Sequence, residues 1–196
     1  DLFVGNDTTA NRLFLHRSSD QLPFEDASVQ SGVAVAGDGT AEASMGIVSE
    51  DLTGNGYPDI FVTNFAAQTN SFYSNLDGTA FVDDTSARDL ARSSYASMGW
   101  GTQLLDFDDD QRLDLFVLNG QLHDQPMLPQ VYRNGADTFQ LMEVAGSGYF
   151  AHRWLGRGLA VADVNEDGRP DLIATHRTGR PHLLVNQRAE GQRCSV

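Results

Sequence analysis

Residues 106–119 read DFDDDQRLDLFVLN, and the pattern of this segment indicates the fold of the chain. An acidic turn leads directly into a run of apolar residues, and the arrangement recurs as DLTGNGYPDIFVTN at 51–64 and DVNEDGRPDLIATH at 163–176. A fourth apolar run, DLFVGN, occupies residues 1–6. The aspartates that begin the four runs, at positions 1, 59, 114 and 171, lie 58, 55 and 57 residues apart. This regular spacing indicates copies of one unit of about 56 residues.

Each unit contains several short apolar runs rich in Val, Ile, Phe and Tyr, separated by Gly, Asn, Asp and Pro. Such runs predict β-strands, for example at 59–63, 114–118 and 130–134. No segment has a sustained helical period, although residues 86–92 have room for one helical turn. Four short antiparallel strands per repeat are typical of a β-propeller blade. The predicted fold class is therefore all-β, with four-stranded antiparallel propeller blades.

The repeat boundaries predict two complete blades, at 43–84 and 97–143, and two partial blades, at 1–28 and 156–187. Residues 188–196 are predicted to begin a following segment or tail. A propeller closes with roughly four to eight blades. We therefore expect these units to form part of a longer propeller, whose remaining blades would be packing partners.

The charge of the chain narrows the classes of partner. Lys and Arg total 13, all of them Arg, against 27 Asp and Glu, so the formal net charge is -14. Nucleic-acid binding is not expected, because phosphate contacts come from Lys and Arg. Membrane insertion is not expected either, since no apolar run approaches the roughly 20 residues of a membrane span. A single cysteine, Cys194, excludes an internal disulfide framework.

The three acidic turns have the chemistry of a calcium site. Oxygen-bearing side chains recur at positions 1, 3, 5 and 9, and calcium takes six to eight oxygen ligands. Position 7 varies in type and would contribute its backbone carbonyl. The predicted ligands are Asp51, Thr53, Asn55, Tyr57 and Asp59 in the first loop, Asp106, Asp108, Asp110, Arg112 and Asp114 in the second, and Asp163, Asn165, Asp167, Arg169 and Asp171 in the third.

Two other structures share features with these loops, the EF-hand and the ordinary turn. An EF-hand needs a bidentate Glu at position 12, which here is Val62, Val117 or Ala174. Ordinary turns, in which Asp and Asn bond their own backbone, remain an alternative for any single loop. Three loops in one phase favour calcium, with affinities on the order of 0.1 to 1 mM because the position-12 Glu is missing.

The repeated loop and the DLFVxN runs resemble the FG-GAP/VCBS-type repeat of integrin α-subunit propellers and of many secreted bacterial proteins. More narrowly, Asn6-Asp-Thr, Asn11-Arg-Leu-Phe and the Met-Gly pairs at 45–46 and 98–99 resemble the cartilage acidic protein group, in which such repeats precede an ASPIC/UnbV domain. The resemblance implies a seven-bladed propeller with calcium in its hairpin loops. It also implies export to the periplasm, cell surface or medium, and a role in adhesion. The FG-GAP signature itself is not legible here, so integrin-like ligand recognition is not implied.

These observations leave two functional hypotheses. The first is a calcium-stabilised module that binds a protein or carbohydrate through the variable loops at 30–42, 85–96 and 120–129. The second is an enzyme on the same scaffold, a polysaccharide lyase or hydrolase, because fold does not fix function. No nucleophile elbow, phosphate-binding loop or dinucleotide fingerprint occurs, so no catalytic residue is predicted.

Overall fold

The computed structural model describes residues 1–16, 24–143 and 148–187, and within these ranges the chain is almost entirely β. The strands are β1 (Leu2–Val4), β2 (Arg12–His16), β3 (Phe24–Asp26), β4 (Gly46–Glu50), β5 (Asp59–Thr63), β6 (Ser71–Asn75), β7 (Phe81–Asp83), β8 (Gly99–Leu105), β9 (Asp114–Asn119), β10 (Gln130–Asn134), β11 (Phe139–Leu141), β12 (Gly156–Ala162), β13 (Asp171–His176) and β14 (His182–Leu184). One short helix, α1 (Ala91–Ser94), and a 3-10 turn at Tyr149–Ala151 lie between them. Neither is long and apolar enough to cross a membrane.

The strands form four antiparallel sheets in chain order. Their orders are β1-β2-β3, β4-β5-β6-β7, β8-β9-β10-β11 and β12-β13-β14. The predicted fold class is confirmed: two sheets have four strands and two have three, as in propeller blades. The segment predicted at 188–196 lies outside the described residues.

The second strand of each inner sheet is buried on both faces. In β5, Ile60 and Val62 pack with Leu13 and Leu15 of the first sheet, whereas Phe61 faces the third sheet. This is why the run is continuously apolar rather than alternating. Burial of each such side chain contributes about 1.5 to 3 kcal/mol. The sheets therefore stack face to face, with one hydrophobic cluster at each junction.

The first strands of neighbouring sheets approach one another closely, with β8 between β4 and β12. A Cβ atom added at Gly46 would lie 2.0 Å from the carbonyl oxygen of Trp100, and one at Gly101 would lie 2.5 Å from the amide nitrogen of Leu159. No side chain fits at either position. Glycine here therefore sets the spacing of the inner strands and places the acidic loops that follow them side by side.

Candidate functional site

The three acidic loops connect the first and second strands of their sheets, and each is closed by its last aspartate. Asp59, Asp114 and Asp171 begin β5, β9 and β13 and are fully buried. One oxygen of each accepts a hydrogen bond from the amide of position 2: Leu52 at 2.9 Å, Phe107 at 3.1 Å and Val164 at 3.1 Å. The other accepts the amide of an asparagine at or just after the end of the third strand: Asn75, Asn134 or Asn186, each at 2.8 Å. The position-9 carboxylate thus ties the loop to two strands.

Asp1 makes the same connection in the first sheet. Its Oδ1 accepts the amide of His16, at the end of β2, at 2.7 Å. Asp1 therefore occupies the position-9 place of a fourth copy of the motif, in agreement with the repeat spacing.

The aspartate at position 1 holds the turn of each loop. Asp51 accepts the amides of Gly54, Asn55 and Gly56 at 2.8 to 3.1 Å. Asp106 and Asp163 make the corresponding bonds to the amides of positions 5 and 6. These are the bonds that the ordinary-turn interpretation requires, so the loops are well formed by their own hydrogen bonds.

Two residues in every loop have left-handed backbone conformations. Position 6 has φ of 90° at Gly56, 69° at Gln111 and 81° at Gly168. Position 4 also has positive φ, although it is Asp109 in the second loop and Glu166 in the third. Position 6 is a glycine in two of the three loops, the residue type that this conformation favours, whereas position 4 is a glycine only in the first loop.

We expect Gln111→Gly to raise the free energy of unfolding by up to about 1 kcal/mol. A non-glycine residue in this conformation costs about 1 to 2 kcal/mol, of which the greater entropy of unfolded glycine cancels a part. The matched control is Gly168→Gln at the same loop position. A Cβ there has nothing within 4 Å, so its loss of stability would be conformational. Urea unfolding in EDTA measures the free energy of unfolding of both variants. Gln111→Gly should raise it and Gly168→Gln should lower it, so a change in the same direction in both variants would contradict the prediction.

The second loop brings carboxylates together. Asp106, Asp108 and Asp114 each offer an oxygen, and the three oxygens lie within 4.8 Å of one another. Asp108 is only 8% exposed, and its Oδ1 is buried without a hydrogen-bond partner. The pKa of Asp114 is raised to about 7, chiefly by burial and also by the neighbouring Asp108 and Asp110 carboxylates, against the hydrogen bonds from Asn134 and Phe107. Negative charge is thus concentrated around Asp108, whose Oδ1 receives no hydrogen bond.

Arginines meet the remaining carboxylate oxygens of this loop. Arg112 pairs with Asp110. Arg133, on β10, lies with its Nε 2.6 Å from Oδ2 of Asp108 and donates from Nη2 to Oδ2 of Asp110 at 3.3 Å. The predicted ligand Asp110 therefore faces guanidinium groups and is not among the three clustered aspartates.

The first loop gathers fewer charged groups. Thr53, at position 3, has a buried Oγ1 without a hydrogen-bond partner, as Asp108 does at the same position of the second loop. Asn55 accepts the amide of Tyr57 at 2.9 Å. The only carboxylates of the first loop are those of Asp51 and Asp59, so the side chains of this loop offer two negative charges.

The third loop resembles the second at position 5, where the arginine at position 7 pairs with the aspartate. Asp167 pairs with Arg169 at 2.6 Å and accepts from the side chain of Asn165 at 2.9 Å. Among the residues that the structure describes, Asp163, Asp167 and Asp171 do not form a three-carboxylate group like that of the second loop. In all three loops the position-7 amide donates to the position-5 side chain.

Sequence reasoning missed two sets of residues at these loops. The asparagines that follow the third strands carry a readable signal, since they end the tripeptides Tyr-Ser-Asn75, Tyr-Arg-Asn134 and Leu-Val-Asn186. Arg133 carries none, because its contact with Asp108 depends on how β10 pairs with β9.

The variable loops 30–42, 85–96 and 120–129 all lie at the opposite ends of the strands from the acidic loops, because strands alternate in direction. A cavity of about 370 Å³ opens on this side, at the end of the second sheet, where it is lined by the loops 30–42 and 85–96, the end of β7 and the turn between β5 and β6. It has three acids and no basic residue in its lining. The lining includes Asp38, Glu42, Asp83, Thr40, Thr69, Thr85, Gln68 and Tyr95.

Glu42 makes the stability of this side depend on pH. Burial raises the pKa of its carboxyl, and Asp83 and Asp38 add to the shift against hydrogen bonds from Ser71 and Asn64. The folded chain therefore holds this proton to higher pH than the unfolded chain, whose value is near 4.5. Stability contributed by the protonated group is lost as pH rises through the folded pKa.

We therefore expect the stability difference between Glu42→Gln and the wild type to grow in favour of the variant as pH rises from 4.5. Glutamine keeps an acceptor for Ser71 and Asn64 but carries no charge. Chemical unfolding at a series of pH values measures the difference. Glu50→Gln, at an exposed position on β4, is the control, and a difference for Glu42→Gln that does not change with pH would contradict the prediction.

Comparison with known proteins agrees with the repeat analysis. Residues 106–174 match the FG-GAP-like repeat family, which confirms the predicted resemblance over that segment. The chain is 26% identical over 206 residues to cartilage acidic protein 1 of Mus musculus, an alignment that covers 97% of the chain and 29% of the relative. It is 25% identical over 201 residues to cartilage acidic protein 1 of Homo sapiens, covering 94% and 28%. The chain thus spans less than a third of the length of these relatives.

Proposed function

We propose that this chain is a calcium-stabilised propeller repeat module of an exported protein, and that it binds a protein or carbohydrate ligand. The observation that carries the calcium assignment is Asp108. Its carboxylate is 8% exposed, its Oδ1 has no hydrogen-bond partner, and it lies in a group with Asp106 and Asp114. A buried carboxylate oxygen without a donor is costly unless a cation meets it.

The donor set fits calcium better than a softer metal. The clustered ligands are all carboxylates, and the other two loops add the hydroxyl of Thr53 and the amides of Asn55 and Asn165. Hard cations prefer such oxygen ligands, whereas zinc and copper favour sulfur and imidazole nitrogen. The unpartnered Thr53 Oγ1 supports the same assignment for the first loop, since it occupies the position of Asp108.

The residues that would hold the ion are those at positions 1, 3 and 5, with the position-7 carbonyl and Asp59, Asp114 or Asp171. A bound calcium ion supplies positive charge to loops that otherwise crowd carboxylates together. The chain's own hydrogen bonds already shape the turns, so the ion is not needed to form them. Binding would instead stabilise the turn and hold the two strands at its ends.

Calcium titration by calorimetry tests this proposal. We expect dissociation constants on the order of 0.1 to 1 mM and loss of one site in Asp108→Asn. Asp7→Asn, an exposed aspartate outside the loops, is the control and should bind as the wild type does. No heat of binding at 5 mM calcium, well above the expected range, would refute the calcium assignment.

The proposal also includes export of the protein and binding of a ligand. Affinities in the millimolar range suit extracellular rather than cytosolic calcium. The variable loops and the acidic cavity share the side away from the metal loops, which leaves that side available for a partner while the ions hold the other. The module is proposed to be non-enzymatic, and turnover of a polysaccharide in an activity panel would favour the lyase or hydrolase alternative.

A further inference from the structure

We propose that Arg133 is a built-in counter-cation of the second loop, which must leave Asp108 and Asp110 before that loop can bind calcium. This inference rests on the proposed function. Its consequence is that the second loop, with an aspartate at four of its predicted ligand positions, does not bind calcium more tightly than the other two loops.

The contact is made by two nitrogens of one guanidinium group. Nε of Arg133 lies 2.6 Å from Oδ2 of Asp108, and Nη2 donates to Oδ2 of Asp110 at 3.3 Å. These carboxylates occupy positions 3 and 5, where the loop would hold an ion. The next residue, Asn134, donates its amide to Asp114 at 2.8 Å, so the backbone beneath the arginine is fixed to the loop.

Neither of the other loops receives a cation from its third strand in the part of the chain that the structure describes. The residue before the equivalent asparagine is Ser74 in the second sheet and Val185 in the fourth. Ser74 donates to Asp84 instead, at 2.6 Å. Arg133 is therefore a feature of this loop and not of the repeat.

The arginines make the net charges at the predicted ligand positions of the three loops equal. The four aspartates at positions 1, 3, 5 and 9 of the second loop carry -4, and Arg112 and Arg133 reduce this to -2. In the third loop Arg169 reduces -3 to -2, and the first loop carries -2 without an arginine. The number of acidic ligands alone would predict the highest calcium affinity for the second loop. Because the arginines neutralise part of that charge, we expect no such difference.

The size of the effect follows from the cost of separating the pair. Opposite charges in contact near a protein surface attract each other more strongly than they do in water, because the effective dielectric constant there is lower. The Arg133 side chain is 36% exposed, so it regains part of this attraction from water when it withdraws. We expect a remaining penalty of at least tenfold in calcium affinity.

The test compares calcium titrations of the wild type with Arg133→Met and Arg133→Lys by calorimetry. Arg133→Met should tighten one site at least tenfold, whereas Arg133→Lys keeps the charge and should stay within about threefold of the wild type. The tightening should vanish in Arg133→Met with Asp108→Asn, which assigns it to this loop. Arg12→Met removes an exposed ion pair with Asp26, 2.9 Å long, which lies in the first sheet outside the three acidic loops, and it should leave calcium binding unchanged.

A second readout is the stability of the protein without calcium. In EDTA, Arg133→Met should unfold more easily than the wild type, because Asp108 and Asp110 lose their counter-charge, and saturating calcium should abolish the difference. Arg133→Gln provides the same test if the methionine variant does not fold.

The outcomes separate the two proposals. Calcium binding with equal affinity in the wild type and Arg133→Met would overturn the role of Arg133 and leave the calcium site intact. Equal tightening by methionine and lysine would also overturn it, since the charge would then have no effect. Absence of calcium binding in the wild type and in every variant would refute the proposed function itself.

Discussion

Replacing Asp59 with alanine is expected to lower the free energy of unfolding by about 3 to 5 kcal/mol in EDTA. Asp59 is fully buried and accepts the amides of Leu52 and Thr53 at 2.9 Å and of Asn75 at 2.8 Å. Alanine leaves all three donors without an acceptor, and each buried unsatisfied group costs about 1 to 3 kcal/mol. Urea unfolding followed by circular dichroism measures the change.

Asp51→Ala is the matched control for this prediction. Asp51 also accepts three backbone amides, but it is exposed, so water can replace its carboxylate. We expect a loss of only about 1 kcal/mol. Equal losses at the two positions would show that burial of the position-9 aspartate does not decide the stability of the loop.

Calcium at 10 mM is expected to raise the free energy of unfolding by about 1.4 to 2.7 kcal/mol for each loop that binds it, given dissociation constants of about 0.1 to 1 mM. With three loops the total is about 4 to 8 kcal/mol. The reason is mass action, since the ion binds the folded loops and not the unfolded chain. Thermal and chemical unfolding with and without calcium measure the increment.

Variants assign this increment to the loops. Asp108→Ala and Asp167→Ala should each remove the share of their own loop, whereas Asp7→Ala, at an exposed position outside the loops, should keep all of it. The same loss in all three variants would mean that calcium acts through general charge screening. Magnesium at the same concentration should stabilise less, because it demands octahedral geometry and retains its waters.

The strands were predictable because their sequence signal and their burial have the same cause. The runs predicted at 59–63 and 130–134 are the observed β5 and β10, and the run predicted at 114–118 is one residue longer in β9. Each has apolar side chains on both faces, because another sheet packs on either side. Repetition then gave the order of the sheets without any long-range information.

The arrangement of the candidate site was less predictable. Loop positions 1, 3, 5 and 9 were recognised from spacing, yet spacing does not reveal that Asp110 turns toward Arg112 or that Asp108 meets Arg133. These contacts depend on strand register and side-chain direction. Position 4 was missed because Asp109 and Glu166 are not glycines, although both adopt positive φ. Hydrogen bonds from the turn to Asp106 and Asp163 hold that conformation in place of glycine's intrinsic freedom.

The most direct test of the calcium assignment is a crystal structure of the chain at 10 mM calcium, with anomalous diffraction to locate the ions. We expect one ion in each loop, about 2.3 to 2.6 Å from the oxygens at positions 1, 3 and 5. We also expect the Arg133 guanidinium to have moved away from Asp108. Three loops without anomalous density, each with its carboxylates still bonded only to amides and arginines, would rule out calcium and identify the repeats as ordinary turns.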